Sequence, residues 1–362
     1  MAYFVCFVFS FSLFYFAEKN KEMTKTAFWL LSSILILYWT LLIGLQYDVG
    51  TDYRMFYQMF YSVAFAESQH ALRNNNEPLF FSIATFVASS GLPPQSGFII
   101  MAFIKSSLFF IFLRIFKMSN MGIFILLFFT VSTIFVNQTN GIRQATAAYI
   151  FSLSTYFIIK KQLVPFVAIV FIASMFHRSA LFMLPIYFLP FLTKAFKERH
   201  FVIILFSSLL ISTIDIVSLL EPLIRLTPYS RFLYTERFLE PLPILNRITR
   251  YVFIPFFLLS LRSLGTLNEL ETKMFHLGFI FFCMRLIFIS VRIFDRLSMY
   301  FELLQIFPLY FMLIYFMNTD QEKKYNRVFV VFIFLVIVIG MQAGRTLLFP
   351  AREYIYRSVL FL

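Results

Sequence analysis

The sequence predicts an all-α fold, a polytopic transmembrane helical bundle with about 12–13 membrane segments, each near the ~20 apolar residues that span a bilayer. Three observations carry that expectation. Of 362 residues, 60% are hydrophobic and 14% charged, and the mean hydropathy is +0.81; soluble domains carry about 25% charged residues. Apolar runs follow one another with only short breaks. Fifty-four Phe and nineteen Tyr supply aromatic anchors for the two membrane rims.

The apolar segments fall at 3–17, 27–45, 78–91, 97–116, 121–137, 144–159, 163–176, 179–193, 201–220, 250–262, 274–291, 297–317 and 328–349. The first lacks a basic leader and a small-residue cleavage site, and Glu18-Lys19-Asn20-Lys21 follows it directly. It is therefore kept as a helix rather than a signal peptide. No internal repeat and no appended soluble domain is visible, so residues 1–362 read as a single integral membrane domain with an extracytoplasmic loop near 221–249.

The formal charge is +13. With no soluble basic domain to carry it, nucleic acid is excluded as a partner, and the charge serves topology or an anionic membrane substrate. Cys6 and Cys283 both lie within apolar runs, and His70, His177, His200 and His276 show no metal-ligand spacing, so no metal or other cofactor is expected. Lysine-bearing connections at 19–25, 160–161, 194–199 and 323–327 belong in the cytoplasm by the positive-inside rule. Counting outward from them places 46–77, 138–143, 177–178, 221–249, 292–296 and the C-terminal tail on the opposite side. One count fails: three apolar segments between Glu77 and Asn140 swap sides, so either 78–91 is re-entrant or part of 55–70 crosses.

The polar residues concentrate at the predicted helix mouths of that opposite side. Tyr47 to Tyr57, YDVGTDYRMFY, holds Asp48, Asp52 and Arg54. Arg143 opens a helix after Asn140-Gly141, with Gln144 beside it and Ala145, Ala147 and Ala148 small enough for close helix packing. His177 and Arg178 sit together in SMFHRSALFMLP, where proton transfer and anion binding can meet. Arg292, Arg296 and Tyr300 follow i, i+4, i+8 spacing and share a helical stripe, with Asp295 in range of Arg292 and Arg285 a turn or two earlier. Lys105 lies inside an apolar run with no evident partner and is left to snorkel. Arg345, Arg352, Tyr354 and Arg357 extend the basic rim. The arginines of 221–249 (Arg225, Arg231, Arg237, Arg247) stand against Glu221, Glu236 and Glu240; on the outer side they depart from the positive-inside tendency, so either the loop lies on the cytoplasmic side or its arginines serve an anionic ligand.

Several arginines, few acids and a candidate base suit a diphosphate-linked lipid. Guanidinium forks match phosphate oxygens, the arginines stabilise the leaving diphosphate, and an Asp or His takes the proton of an attacking hydroxyl.

Five blocks in order resemble the EpsG/Wzy-like polysaccharide polymerases. YDVGTDYRMFY is similar to their GTDYxxY-type motif, Glu77-Pro78 with LFFSIATFVASSG to the next block, NGIRQATAAY to N-x-IRQ-x-A, MFHRSALFMLPIY to H-[KRP]-S-A, and RLSMYF to R-x-x-x-Y-F. The resemblance covers nearly the whole chain. One departure is Gln46-Tyr47, where relatives often carry an arginine before GTDY; its role is then met elsewhere or absent.

The resemblance implies a multi-pass, metal-independent glycosyltransferase of the bacterial cytoplasmic (inner) membrane. It would join undecaprenyl-diphosphate-linked oligosaccharides into O-antigen, capsule or exopolysaccharide on the outer face, with a flippase and a chain-length regulator as further partners. By motif position it singles out Gly50, Thr51, Asp52, Glu77, Arg143, Gln144, His177, Arg178, Arg296 and Tyr300. On this reading Arg143, Arg178 and Arg296 hold the diphosphate, with Arg292 beside them. His177 or Asp52 is the base, His177 preferred because an exposed aspartate is a weak base at neutral pH. Tyr47, Tyr53 and Tyr57 stack on sugar rings. The alternatives are a flippase for the same lipid-linked oligosaccharide, which needs a cationic cavity reachable from both sides and often repeats, and a membrane O-acetyltransferase, which needs a cytoplasmic acyl-donor site.

Overall fold

The computed structural model describes residues 2–19, 23–189, 196–214, 221–222, 225, 230, 244–290, 296–318, 324–344 and 355–361. Among them the fold is helical throughout, without a β-strand; the one exception to helix and turn is an isolated antiparallel bridge, Gln46 with Ser358. Five helical stretches are long and apolar enough to cross a membrane: Ala2–Lys19, Lys25–Gly44, Gln95–Ile115, Arg247–Thr266 and Asn326–Ala343. Shorter apolar helices fill the remaining segments, so this is a polytopic all-α membrane protein. Two compact units emerge, one of residues 1–188 and 338–362, the other of 189–337.

In the first unit, α1 (Ala2–Lys19) and α2 (Lys25–Gly44) run in opposite directions. Three short helices follow, α3 (Tyr53–Tyr61), α4 (Val63–Ala71) and α5 (Pro78–Ser89), and then α6 (Gln95–Ile115), α7 (Met121–Thr130) and α8 (Ile134–Asn137). The unit continues with α9 (Ile142–Ile159), α10 (Leu163–Ser174) and a 3-10 helix over Arg178–Phe188. That last run was expected as a span. Pro185 inside it removes a backbone donor and clashes with the preceding turn, and the chain coils as a 3-10 helix instead.

Trp39 anchors the core. Its indole donates to Ser10 (2.9 Å), whose hydroxyl in turn donates to the Cys6 carbonyl. Phe109, Phe110, Phe128, Phe129 and Phe135 surround the ring at 5.1–5.8 Å. At one end of the unit the Glu18 carboxylate accepts the Met121 and Gly122 amides (2.7 and 3.0 Å), capping α7 where its orphan N–H groups need acceptors. At the other end Gln95, opening α6, donates to the Gly44 and Gln46 carbonyls. Thus α2 and α6 pack antiparallel.

These contacts settle the failed count. Glu77, before α5, and Gln95, after it, both lie at the end of the unit that carries Gln46 to Tyr53. At 12 residues, α5 starts and finishes near one end of the unit, as the re-entrant alternative for 78–91 expects. Two crossings remain between Glu77 and Asn140, and parity is restored. The C-terminal segment reaches the same end: Tyr47 N–H donates to the Arg357 carbonyl (2.9 Å), Val359 N–H to Leu45 (3.0 Å) and the Tyr356 hydroxyl to Leu42 (2.8 Å).

In the second unit, α11 (Glu198–Ile211) packs on α14 (Glu269–Ile287), Phe201 lying against Phe275, His276 and Phe279. Between them come α12 (Ile244–Tyr251) and α13 (Ile254–Ser260), where Phe257 stacks on Phe282 at 3.6 Å. Asn268 and Glu271 form a reciprocal capping box at the start of α14. The unit continues through α15 (Ile306–Asn318) and the part of α16 (Lys324–Ala343) up to Ile337. Both Cys6 and Cys283 are buried free thiols.

Gly44 marks the closest approach of α2 to α6: a Cβ there meets Ile99 Cα at 2.8 Å. Gly44→Ala must push the helices apart, at a cost of about 1–3 kcal/mol. The expected outcome is a lower unfolding midpoint for the purified protein in detergent, and an unchanged midpoint contradicts the packing.

Candidate functional site

Glu77 is the centre of the polar end of the first unit. It precedes Pro78 with a left-handed backbone (φ +68°), a conformation that costs a non-glycine residue roughly 1–3 kcal/mol. Its carboxylate, buried, accepts the Arg143 Nη1 and the Arg178 backbone N–H (3.3 Å). The N–H groups of Leu79 and Phe80 donate to the Met175 carbonyl at 3.1 and 3.4 Å, so the start of α5 is sewn to the end of α10 by main chain as well. Residues 77, 143 and 178, far apart in sequence, meet on one carboxylate.

The Arg143 guanidinium lies over the rings of Phe80 (5.4 Å) and Phe56 (5.8 Å), a cation–π arrangement in a poorly hydrated place. Its Nε is buried without a hydrogen-bond partner. Ala145, Ala147 and Ala148 are fully buried behind it, so the expected bundle-facing arginine is found. The Arg178 guanidinium has no hydrogen-bond or ion-pair partner among the described residues. Two guanidinium groups against one buried carboxylate leave net positive charge.

Asn140 ties the YDVGTDY turn to this cluster. Its Oδ1 accepts the Asp52 amide (2.8 Å) and the Thr51 hydroxyl (3.2 Å), three residues before Arg143. Gly50 makes the approach possible: its φ is +80°, and a Cβ there meets Asn140 Oδ1 at 2.7 Å. The Asp52 carboxylate caps nothing at α3 and, among the described residues, contacts the Thr51 hydroxyl at 3.2 Å. Below the turn, Gln46 is buried and donates to the Thr139 carbonyl (3.1 Å). Lys105, expected to snorkel, is instead buried with Nζ on the Gln138 carbonyl (2.9 Å). The free carbonyls that end α8 give the ammonium acceptors inside the bundle, which is a better arrangement than a long reach to the rim.

His177 begins the turn into the 3-10 helix. Its Nδ1 lies 2.7 Å from the Ser179 hydroxyl and accepts the Ser179 backbone N–H at 3.3 Å. Gln144 is half-buried on α9 next to Arg143.

Other expected residues are placed differently. Tyr53 is buried, stacked on Phe98 (4.9 Å, 17°), with its hydroxyl against Gln95 Oε1 (3.4 Å). It has no face for a sugar; the half-buried Tyr47 and Tyr57 flank it at 5.9 and 6.0 Å. Burial, with Tyr57, Tyr47 and Asp48 nearby, pushes the Tyr53 phenol well above the ordinary tyrosine range, so it remains a hydrogen-bond donor.

In the second unit, Tyr300 is fully buried in a 3-10 turn, Met299–Phe301, and presents no ring face to a ligand. That turn also breaks the single helical stripe expected through Arg296, which is exposed. Arg292 and Asp295 lie outside the described residues, as do Arg231, Arg237, Glu236, Glu240, Arg345, Arg352 and Tyr354. Arg225 pairs with Glu221 on the surface (2.6 Å). Arg285 is not a ligand-facing cation: it is buried against Glu302 (3.3 Å), and its carbonyl accepts Arg250. Glu302 and Gln95 escaped the sequence reading because a single polar residue inside or at the edge of an apolar run has no periodic signature.

Because Gly50 and Asn140 act through one contact, Gly50→Ala and Asn140→Ala are each expected to cost about 1–2 kcal/mol. The double variant should cost clearly less than the sum. Additive unfolding midpoints in the purified protein would show that the contact does not hold the turn.

No curated protein and no solved structure gives a significant match to this chain. The sequence profile of the EpsG family does, over residues 29–351. That span contains Gly50, Asp52, Glu77, Arg143, His177, Arg178, Arg296 and Tyr300, and nearly all of both units. The chain belongs to the EpsG family, of Wzy-like polysaccharide-polymerase type, and is a multi-pass membrane protein related to polysaccharide biosynthesis.

Proposed function

We propose that the chain is a glycosyltransferase that joins lipid-diphosphate-linked oligosaccharide repeat units, with undecaprenyl diphosphate as the lipid carrier, on the outer face of a bacterial cytoplasmic membrane. The observation that carries the reading is the meeting of Arg143, Arg178 and Glu77 beside the Gly50–Asn140 turn. Four sequence blocks converge there with an excess of guanidinium charge and a carboxylate, Asp52, that caps no helix. On this reading the product is an O-antigen, a capsule or an exopolysaccharide.

The chemistry assigns itself by charge. An acceptor sugar hydroxyl attacks C1 of the donor sugar, the C1–O bond to the diphosphate breaks, and its electron pair leaves on the diphosphate oxygen. Arg143 and Arg178 receive that developing charge. Glu77 holds Arg143 in place by one nitrogen and leaves the rest of the fork for phosphate. The hydroxyl proton passes to a base of the site. Tyr47 and Tyr57, half-buried at the rim, offer ring faces to sugars.

Deleting the gene tests the reading directly. The surface glycan is expected to lose its ladder above a single repeat, with single units still reaching the surface. Complete loss of surface glycan, with lipid-linked units held on the cytoplasmic side, identifies a flippase instead. Complementation with Arg143→Ala is expected to reduce polymer about a hundredfold or more at wild-type membrane abundance. Arg143→Lys recovers little, since an ammonium keeps the charge but loses the fork; long chains from Arg143→Ala would sink the assignment.

A further inference from the structure

We infer that Arg357 holds the diphosphate of the acceptor, the second lipid-linked unit that the reaction consumes, in a cationic subsite at the rim of the first unit. The inference rests on the transferase reading above and deepens it. Joining two lipid-linked units brings two diphosphates to the membrane surface. One leaves the donor beside Arg143 and Arg178. The other stays bonded to the acceptor throughout, and its charge needs a cation of its own.

The main chain decides where Arg357 points. Gln46 and Ser358 form an antiparallel bridge, flanked by the Tyr47 N–H on the Arg357 carbonyl (2.9 Å) and the Val359 N–H on the Leu45 carbonyl (3.0 Å). Because the bonds come from the flanking residues, Gln46 and Ser358 are a non-hydrogen-bonded pair with side chains on one face. Both are buried, and the Gln46 amide reaches the Thr139 carbonyl, in the break that leads to Arg143. Side chains alternate along extended backbone, so Tyr47 and Arg357 turn to the other face. Their exposure agrees: Tyr47 is half-buried and Arg357 exposed. They stand opposite one another, at roughly 5 Å between Cβ atoms on strand geometry. Arg357 thus projects away from the break that carries Asn140 and Arg143, and the two arginines serve different faces of the Leu45–Tyr47 stretch.

Further contacts fasten the segment. The Tyr356 hydroxyl donates to the Leu42 carbonyl (2.8 Å), the Tyr356 ring meets Tyr3 edge-on (5.6 Å), and the Leu360 N–H donates to the Ser358 hydroxyl (3.2 Å). The backbone of Arg357 is therefore fixed on α1 and α2, while its guanidinium has no hydrogen-bond or ion-pair partner among the described residues. Its neighbours at this end are already engaged: Arg54 faces Asp48 (3.4 Å), and Arg143 is held by Glu77. An arginine that only snorkels to phospholipid needs no such fastening. A fixed guanidinium fork beside a tyrosine ring suits a diphosphate and the sugar bonded to it: the fork takes phosphate oxygens, and the Tyr47 ring lies along the sugar.

Binding stoichiometry tests this. The full chain, purified into nanodiscs of phosphatidylcholine and titrated with undecaprenyl diphosphate, is expected to bind two equivalents. Arg357→Ala keeps the main-chain bonds of the bridge and is expected to melt with the wild type. It should retain one equivalent and weaken the other about tenfold or more, whereas Arg143→Ala should retain the equivalent that Arg357→Ala weakens. A single equivalent in the wild type overturns the subsite. So does a wild-type titration from Arg357→Ala, which is what an arginine anchored on phospholipid gives. Elongation of the cell's extracted lipid-linked unit supplies a second readout: Arg357→Ala is expected to raise KM about tenfold with kcat within about twofold. A lowered kcat at unchanged KM overturns the binding role. Should deletion of the gene leave the glycan ladder intact, the transferase reading falls, and the nanodisc titration still decides separately whether Arg357 holds a lipid diphosphate.

Discussion

The polar end of the first unit depends on one carboxylate. Glu77 ties the start of α5 to the start of α9 through Arg143 and to the end of α10 through the Arg178 amide. None of those elements is placed there by hydrophobic periodicity, since each is apolar nearly all round. The ion pair and the Met175 carbonyl, which takes two more amides of α5, set the register. A re-entrant helix follows from the same constraint: with both flanks of α5 held near one end, its 12 residues turn back rather than cross.

Beneath that carboxylate lies a second polar layer. Lys105 on Gln138, Gln46 on Thr139, and Gln95 on the Gly44 and Gln46 carbonyls all satisfy main-chain groups where helices stop inside the bundle. In a bilayer, an irregular backbone persists only where protein supplies its partners. The segment 138–141 is such a place, and it delivers both Asn140 to the Asp52 turn and Arg143 to Glu77. The C-terminal residues 356–359 pair with Leu42 to Tyr47, the stretch that leads into that turn. Supporting layers of this kind set a site more tightly than a loop can set itself.

Much of this was legible in the sequence. Fold class follows from composition, and the mouths of the helices follow from where polar residues interrupt apolar runs. Gly50, Asp52, Glu77, Arg143, His177 and Arg178 stand out at those mouths or by motif position. What stayed hidden has physical reasons. Tyr53 and Tyr300 read as ligand contacts because an aromatic at a boundary looks the same whether its ring faces a sugar or a neighbour; Phe98 decides it for Tyr53. Arg285 reads as a spare cation until Glu302, seventeen positions on, is seen to neutralise it. Lys105 seemed unpartnered because its acceptor is a carbonyl, which every residue has and no sequence pattern marks.

The cost of the Glu77–Arg143 pair argues for its purpose. A buried ion pair contributes little net stability, because desolvating two charges offsets most of their attraction. Here the cost is compounded: Glu77 holds a left-handed backbone before a proline, and Arg143 keeps a buried Nε without an acceptor. Apolar residues of similar volume would pack the same space, between Phe56 and Phe80, with neither expense. Strain and unsatisfied polar atoms gather where function demands them. An arginine clamped by a single nitrogen, stacked on two rings and lacking one partner, is already oriented for an anion and loses little freedom when one binds. Among the described residues neither the Arg143 Nε nor the Arg178 guanidinium has a partner, which is the arrangement that the proposed diphosphate ligand would complete.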